Sequence, residues 1–141
     1  MTAKNDIALH TDSNELAAGE VIRLYAAVGW GDEATYDHER IRAALARTTF
    51  IVYATDRAGN LLGFARAFSD DTFHTSLAEL VVHPQHQRRG IGRTLLAAVI
   101  ERYATTAIFL EAVEGQEDFF LRCGFDKRER MAVLSRRPSI G

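Results

Sequence analysis

The stretch Glu79-Leu80-Val81-Val82-His83-Pro84-Gln85-His86-Gln87-Arg88-Arg89-Gly90-Ile91-Gly92-Arg93-Thr94 holds the residue types needed to bind an anion. Its first half reads as a strand, Pro84 ends that strand because it has no N–H to donate, and from Gly90 the apolar period lengthens to that of a helix. The first N–H groups of a helix have no partner inside it, and the helix dipole makes that end positive, so a phosphate answers both. Gly90 and Gly92 leave the backbone bare to a bulky diphosphate, and Arg88, Arg89 and Arg93 add charge beside it. The same letters also suit a tight turn with solvated arginines. Two other phosphate loops fail on the letters. A dinucleotide fingerprint wants a small residue where Leu95 stands, and no Gly-Lys-Ser/Thr triplet of a P-loop occurs.

The elements that would position this stretch follow from period and punctuation. A strand over 7–10 runs into Asp12-Ser13-Asn14-Glu15, whose spacing predicts a helix cap and a helix beginning there. Val21, Leu24, Tyr25 and Val28 recur at helical spacing until Gly29 and Gly31, and a second helix carries Ile41, Ala44 and Leu45. Residues 50–55 and 61–68, joined by the turn chemistry of 56–60, read as an antiparallel hairpin. A strand over 73–83 follows, with Leu77, Glu79, Val81 and His83 on one face and Ala78, Leu80 and Val82 on the other. Ile91, Leu95, Ala98 and Val99 mark a helix to about Tyr103; then come a strand over 107–112, a short helix over 115–122 ended by Gly124, and a final strand region over 125–134. Helices first, then a hairpin, then strand-helix-strand: this order predicts an α/β fold of the α+β type on a mixed sheet, not a doubly wound parallel one.

At 141 residues the chain suits one domain, 1–141, with a cofactor-binding core over about 73–125. Its 47% hydrophobic and 26% charged composition belongs to globular chains. No apolar run approaches the roughly 20 residues that span a bilayer, and residues 1–12 lack a signal-peptide stretch, so no membrane role and a cytoplasmic location are expected. Cys123 is the sole cysteine, and no Cys/His cluster has zinc spacing, so neither a disulfide nor a metal is expected. The net charge of -2 argues against a nucleic-acid partner.

Gln87-x-x-Gly90-x-Gly92 after Leu80-Val81-Val82-His83-Pro84 resembles the acetyl-CoA signature of the GNAT superfamily of N-acetyltransferases, and Phe119-Phe120-x-x-Cys123-Gly124-Phe125 resembles that family's late helix and following strand. The resemblance covers residues 50–134 and implies a mostly antiparallel twisted sheet of six to seven strands flanked by four helices, with acetyl-CoA as co-substrate. It implies that backbone at Leu80, Val81 and Val82 pairs with the pantetheine arm and that Arg88, Arg89, Gly90, Ile91, Gly92, Arg93 and Thr94 hold the pyrophosphate. Gln87 would flank it, and Phe119 and Phe120 would pack along the thioester end. A homodimer is common among such proteins.

The reaction so implied is direct transfer of acetyl from thioester to a primary amine. A lysine-like amine must first lose a proton, at a cost of about 4.6 kcal/mol at pH 7. Glu79 is the candidate general base, directly or through water; an arginine-paired carboxylate is the alternative reading. Where many relatives carry a tyrosine acid, this chain has Phe120. Trp30 and Tyr36 are candidate walls for the acceptor cation, with Asp32 or Glu33 nearby, on a small-molecule or peptide amine. A non-catalytic acyl-CoA-binding domain stays open beside the enzyme.

Overall fold

The computed structural model describes residues 6–139. These fall into two compact units, the first ending at Leu110 and the second beginning at Glu111. The first unit is built on one sheet in the order β1 (Ala8–His10), β2 (Phe50–Thr55), β3 (Leu61–Ser69), β4 (His74–Val82) and β5 (Ala107–Phe109). Neighbours are antiparallel up to β4, and β5 runs parallel to β4. The mixed sheet expected from the element order is therefore present.

Aromatic and β-branched residues make β2, and the hairpin to β3 closes on Asp56. Its Oδ1 accepts from Ala58 and Asn60 at 2.9 Å, and Gly59 takes a left-handed φ of 86° that suits a residue without Cβ. Helices α1 (Ala18–Ala27) and α2 (His38–Ala46) belong to the core that gathers Val21, Leu24, Tyr25 and Leu45 with Ile51, Tyr53, Phe64 and Val81. Helix α3 (Ile91–Arg102) packs against β2, β3 and β4 through its buried stripe Ile91, Leu95, Leu96 and Val99. The helix expected at 13 starts later. Asp12 caps only a 3-10 turn, Ser13–Glu15, and Leu16 leaves the helical path at ψ 108° to bury its side chain, so α1 begins at Ala18.

β4 does not alternate straight through. Arg66 lies opposite Glu79 but Ala67 lies opposite Leu77, so Ala78 is an extra residue, a β-bulge. Facing residues share a side of the sheet, which puts Glu79 and Val81 with Arg66 and Phe64, and Leu77 with Ala67 on the reverse side. The single face expected for Leu77, Glu79 and Val81 is thus corrected by the bulge.

In the second unit, residues 111–139, α4 (Glu117–Arg122) is the one regular element among the described residues. The strand expected over 125–134 is absent, and the sheet has five strands in place of six to seven. Residues 126–130, Asp-Lys-Arg-Glu-Arg, offer no face to bury, and Val133 and Leu134 beyond them are 69% and 91% exposed. The end of α4 does follow the sequence. Gly124 at φ 96° turns the chain so that Phe125 N–H reaches the Phe120 carbonyl at 3.1 Å and Gly124 N–H that of Leu121 at 3.2 Å, with the Phe120 and Phe125 rings 6.0 Å apart. Glycine followed by phenylalanine is what that helix ending requires.

The β3–β4 contact is closest at Gly63, where a Cβ would stand 2.6 Å from the Val81 carbonyl oxygen and 3.3 Å from Leu95. Gly63→Ala is expected to push β4 from β3 and lower stability by about 1–3 kcal/mol, as overpacking does. Urea unfolding measures this, and an unchanged midpoint would contradict the close approach.

Candidate active site

His83 N–H donates to the Leu62 carbonyl at 2.8 Å. Polar backbone groups alternate sides along a strand, so Val81 also faces β3, while Leu80 and Val82 point their N–H and C=O away from it. On that outer side β5 pairs with β4 only from His74 to Ser76. Among the described residues no strand pairs with β4 past Ser76 on this side, and Leu80 and Val82 lie on an unpaired edge. Of the three residues expected to bond an extended ligand, Leu80 has its outward backbone groups free and Val82 its N–H; Val81 spends its own on β3 and its side chain in the core.

The chain turns from β4 through the 3-10 turn Pro84–His86, capped by His83 Nδ1 accepting from Gln85 N–H at 3.2 Å. Gln87 Nε2 then donates to the Val82 carbonyl at 3.0 Å, tying the turn to the open edge. Arg88 has φ 66° and Gly90 φ 84°, left-handed conformations that curl successive amides into a concave nest. The first amide of this region with a partner is Thr94, bonded to the Gly90 carbonyl at 3.0 Å. Among the described residues the N–H groups of 88–93 donate to nothing. Gly90 is required by its φ, since a Cβ there would meet no atom within 4 Å. Arg88, Arg89 and Arg93 are exposed and form no ion pair among the described residues. Burial first, and the Arg89 and His83 charges after it, hold His86 below the usual imidazole range. The arrangement is one that could hold an anion mostly by main chain, with positive charge around it.

One residue before Leu80 on the same strand, Glu79 projects onto the face that carries α1. Tyr25 Oη donates to its Oε2 at 2.6 Å and Arg66 Nη2 to its Oε1 at 2.9 Å; Arg66 Nη1 also reaches Thr48 Oγ1 at 3.2 Å. The Arg66 and Glu79 side chains are each 18% exposed, so the carboxylate is shielded and paired but not sealed. A carboxylate has about four lone-pair sites, and two donors leave room for a water or an amine. Burial, and then the bond to Glu79, raise the Tyr25 phenol well above its usual range, so it stays a donor at neutral and moderately alkaline pH. For Arg66, burial works against the charged form, but Glu79 outweighs it and the guanidinium is raised.

Gly29 and Gly31, both at positive φ, fold the α1 exit back so that Trp30 lies 5.6 Å from the Tyr25 ring; Tyr36 lies 5.6 Å from it on another side and donates its hydroxyl to the Trp30 carbonyl. The expected walls Trp30 and Tyr36 are therefore brought together, around Tyr25 and Glu79. Trp30 is 43% exposed, as a wall open to a ligand would be. Sequence reading assigned Tyr25 to the core and passed over Arg66. The available signal was Arg66 itself, a charge inside an otherwise buried strand, which demands a partner, and Glu79 is the one acid in β4. Phe119 and Phe120 belong to the second unit, half-buried with rings 5.1 Å apart, and Cys123 there is a free, half-buried thiol. No group of three or more His, Cys, Asp or Glu among the described residues is placed to hold a metal.

An open strand edge, an amide nest and a shielded carboxylate thus lie on consecutive pieces of chain, and comparison with known proteins places the chain among the acetyltransferases. Residues 16–125 match the Acetyltransferase (GNAT) family, to which the chain belongs. It is 27% identical over 128 residues to the uncharacterized N-acetyltransferase ycf52 of Pyropia yezoensis, covering 86% of this chain and 71% of that protein. It is 30% identical over 127 residues to the L-amino acid N-acyltransferase MnaT of Escherichia coli, covering 84% and 72%. Against two further ycf52 proteins it spans 64% and 44% of their length. Its fold is similar to that of a proposed acetyltransferase from Deinococcus radiodurans, with a TM-score of 0.81 at 22% identity over 97% of this chain and 92% of that one.

Gly90→Glu is expected to abolish acetyl-CoA binding, because it strains a left-handed position and adds negative charge to the nest. Isothermal titration on the variant, with its circular dichroism matched to wild type, reads this; an unchanged dissociation constant would contradict the cradle.

Proposed function

We infer that the chain acetylates a primary amine with acetyl-CoA. The observation that carries this is the adjacency on β4: the backbone of Leu80 and Val82 faces an open edge, while the Glu79 side chain, one residue earlier, bonds Tyr25, whose ring lies near Trp30 and Tyr36. Successive strand residues are about 3.4 Å apart along the chain, so a carrier laid on the edge and an amine above Glu79 would meet. Acetyl-CoA supplies a thioester-activated acetyl group. The residues of the first unit fit it: Leu80 and Val82 would bond the pantetheine amides, the N–H groups of 88–93 with Arg88, Arg89 and Arg93 would hold the pyrophosphate, and Gln87 and Thr94 would flank the arm. That MnaT is an L-amino acid N-acyltransferase by name supports an amine as the acceptor.

In this reading Trp30, Tyr36 and Tyr25 hold the ammonium by cation–π attraction, and Glu79, oriented by Tyr25 and Arg66, takes its proton directly or through one water. Positioning of the two reactants supplies much of the remaining rate. No tyrosine stands at Phe120 to protonate the departing thiolate, yet a thiol of pKa about 8.5 leaves acceptably without one. A second reading, acyl-CoA binding without turnover, draws support from the Arg66–Glu79 ion pair and from Phe120.

Glu79→Gln is expected to lower thiol release at pH 7 by about 10²-fold, the usual worth of a general base, and by much less at pH 9, where more of the amine is already neutral. The raised phenol of Tyr25 stays protonated across that window, so its ionisation does not mimic the effect. Identical pH profiles for wild type and variant would remove Glu79 as the base, and silence of the wild type over a broad amine panel would favour the binding domain.

A further inference from the structure

The face that carries Glu79 continues past the acceptor recess into a second feature that the reaction has not used. Two pairs along the ladder from Arg66–Glu79, beyond the bulge, Phe68 lies opposite Ser76 on the same side of the sheet, with His74 following. An open cavity of about 290 Å³ sits there, lined by Thr49, Phe68, Ser69, Asp70, His74 and Ser76. Phe68 is 40% exposed, and the His74 imidazole stacks on Phe109 with centroids 5.0 Å apart and planes 17° apart. Arg66 links the two places: its guanidinium lies 5.7 Å from the Phe68 centroid while it holds Glu79. Arg66 to Phe68 is two residues, about 7 Å of strand, so one small molecule can reach both.

Resting on the amine-acetylation reading, we propose that this cavity is a subsite for the far end of the acceptor and that it takes an uncharged ring on a short aliphatic spacer from the amine. Size argues for a single ring system, since a dry cavity of about 150 Å³ already accommodates benzene. The walls offer the exposed part of the Phe68 ring, beside the Arg66 guanidinium, with hydroxyls at Thr49, Ser69 and Ser76, a lining that suits a ring bearing few polar substituents. Charge argues against an anionic tail. Arg66 is already matched by Glu79, and the remaining charged group at the cavity is the Asp70 carboxylate, which bonds from the His74, Thr72 and Phe73 amides hold below its usual range. The bulge at Ala78 is what makes the arrangement possible, because without the extra residue Glu79 and Ser76 would share no face.

Binding of 2-phenylethylamine, ethylamine and β-alanine to the full chain with coenzyme A present, followed by amide chemical shifts, tests this without requiring turnover. The ring amine is expected to bind at least tenfold tighter than ethylamine, with β-alanine weakest. Ser76→Leu, which fills the cavity, and Phe68→Ala, which removes its wall, are each expected to erase the ring preference while leaving ethylamine binding within twofold. Equal affinity of the ring amine and ethylamine, or a preference that survives both variants, overturns the subsite. If the preference holds and no amine in the panel is acetylated, the subsite stands and the transferase reading falls.

Discussion

Main-chain hydrogen-bonding groups without partners are the constraint around which this molecule is arranged. A folded chain normally satisfies nearly all of its backbone donors, yet among the described residues the outer edge of β4 at Leu80 and the Val82 N–H, and then the amides of 88–93, are left open on either side of a hydrogen-bonded turn. The cause is topological. β5 pairs with β4 for only three residues, so the sheet splits where a further strand would lie, and the left-handed turns at Arg88 and Gly90 aim the following amides into the space beyond. Gln87 fastens the two regions together by its bond to Val82. A ligand with amides along an arm and a diphosphate at its end, as proposed for acetyl-CoA, would answer both sets at once.

The second organising feature is the bulge at Ala78. It turns Glu79 toward α1 while Leu77 keeps to the α3 side, so one strand offers its edge to a carrier and a carboxylate to the opposing recess. Tyr25 then connects layers: it sits in the core against Phe64, stacks near Trp30 and Tyr36, and donates to Glu79. Two fixed donors orient the carboxylate, which in the proposed reaction would lower the reorganisation required of it.

Much of this was legible in the letters and some was not, for identifiable reasons. The β2–β3 hairpin, the α3 stripe and the glycine ending of α4 could be read because each rests on local chemistry: β-branched alternation, a helical period, a residue free to take positive φ. The turn after β4 and the left-handed glycine at 90 were readable for the same reason. The bulge was not, since an extra residue in β4 is set by its fit to β3 and leaves the alternation of types unchanged. Asp12 was misread as the start of α1 because a capping residue serves a 3-10 turn equally well. The missing strand over 125–134 shows the limit of propensity: valine and leucine favour strands only when a face exists to cover them, and the charged run before them offers none. Arg66 and Tyr25 were missed as site residues because their roles depend on partners 13 and 54 positions away.

Titration of ¹⁵N-labelled protein with coenzyme A, followed amide by amide, tests the central claim most directly. The open-donor account predicts that the largest shifts fall on Leu80, Val82 and residues 88–93, with Val81, already bonded to β3, moving least among its neighbours. Shifts confined to another part of the sheet, with those amides unmoved at saturation, would contradict it.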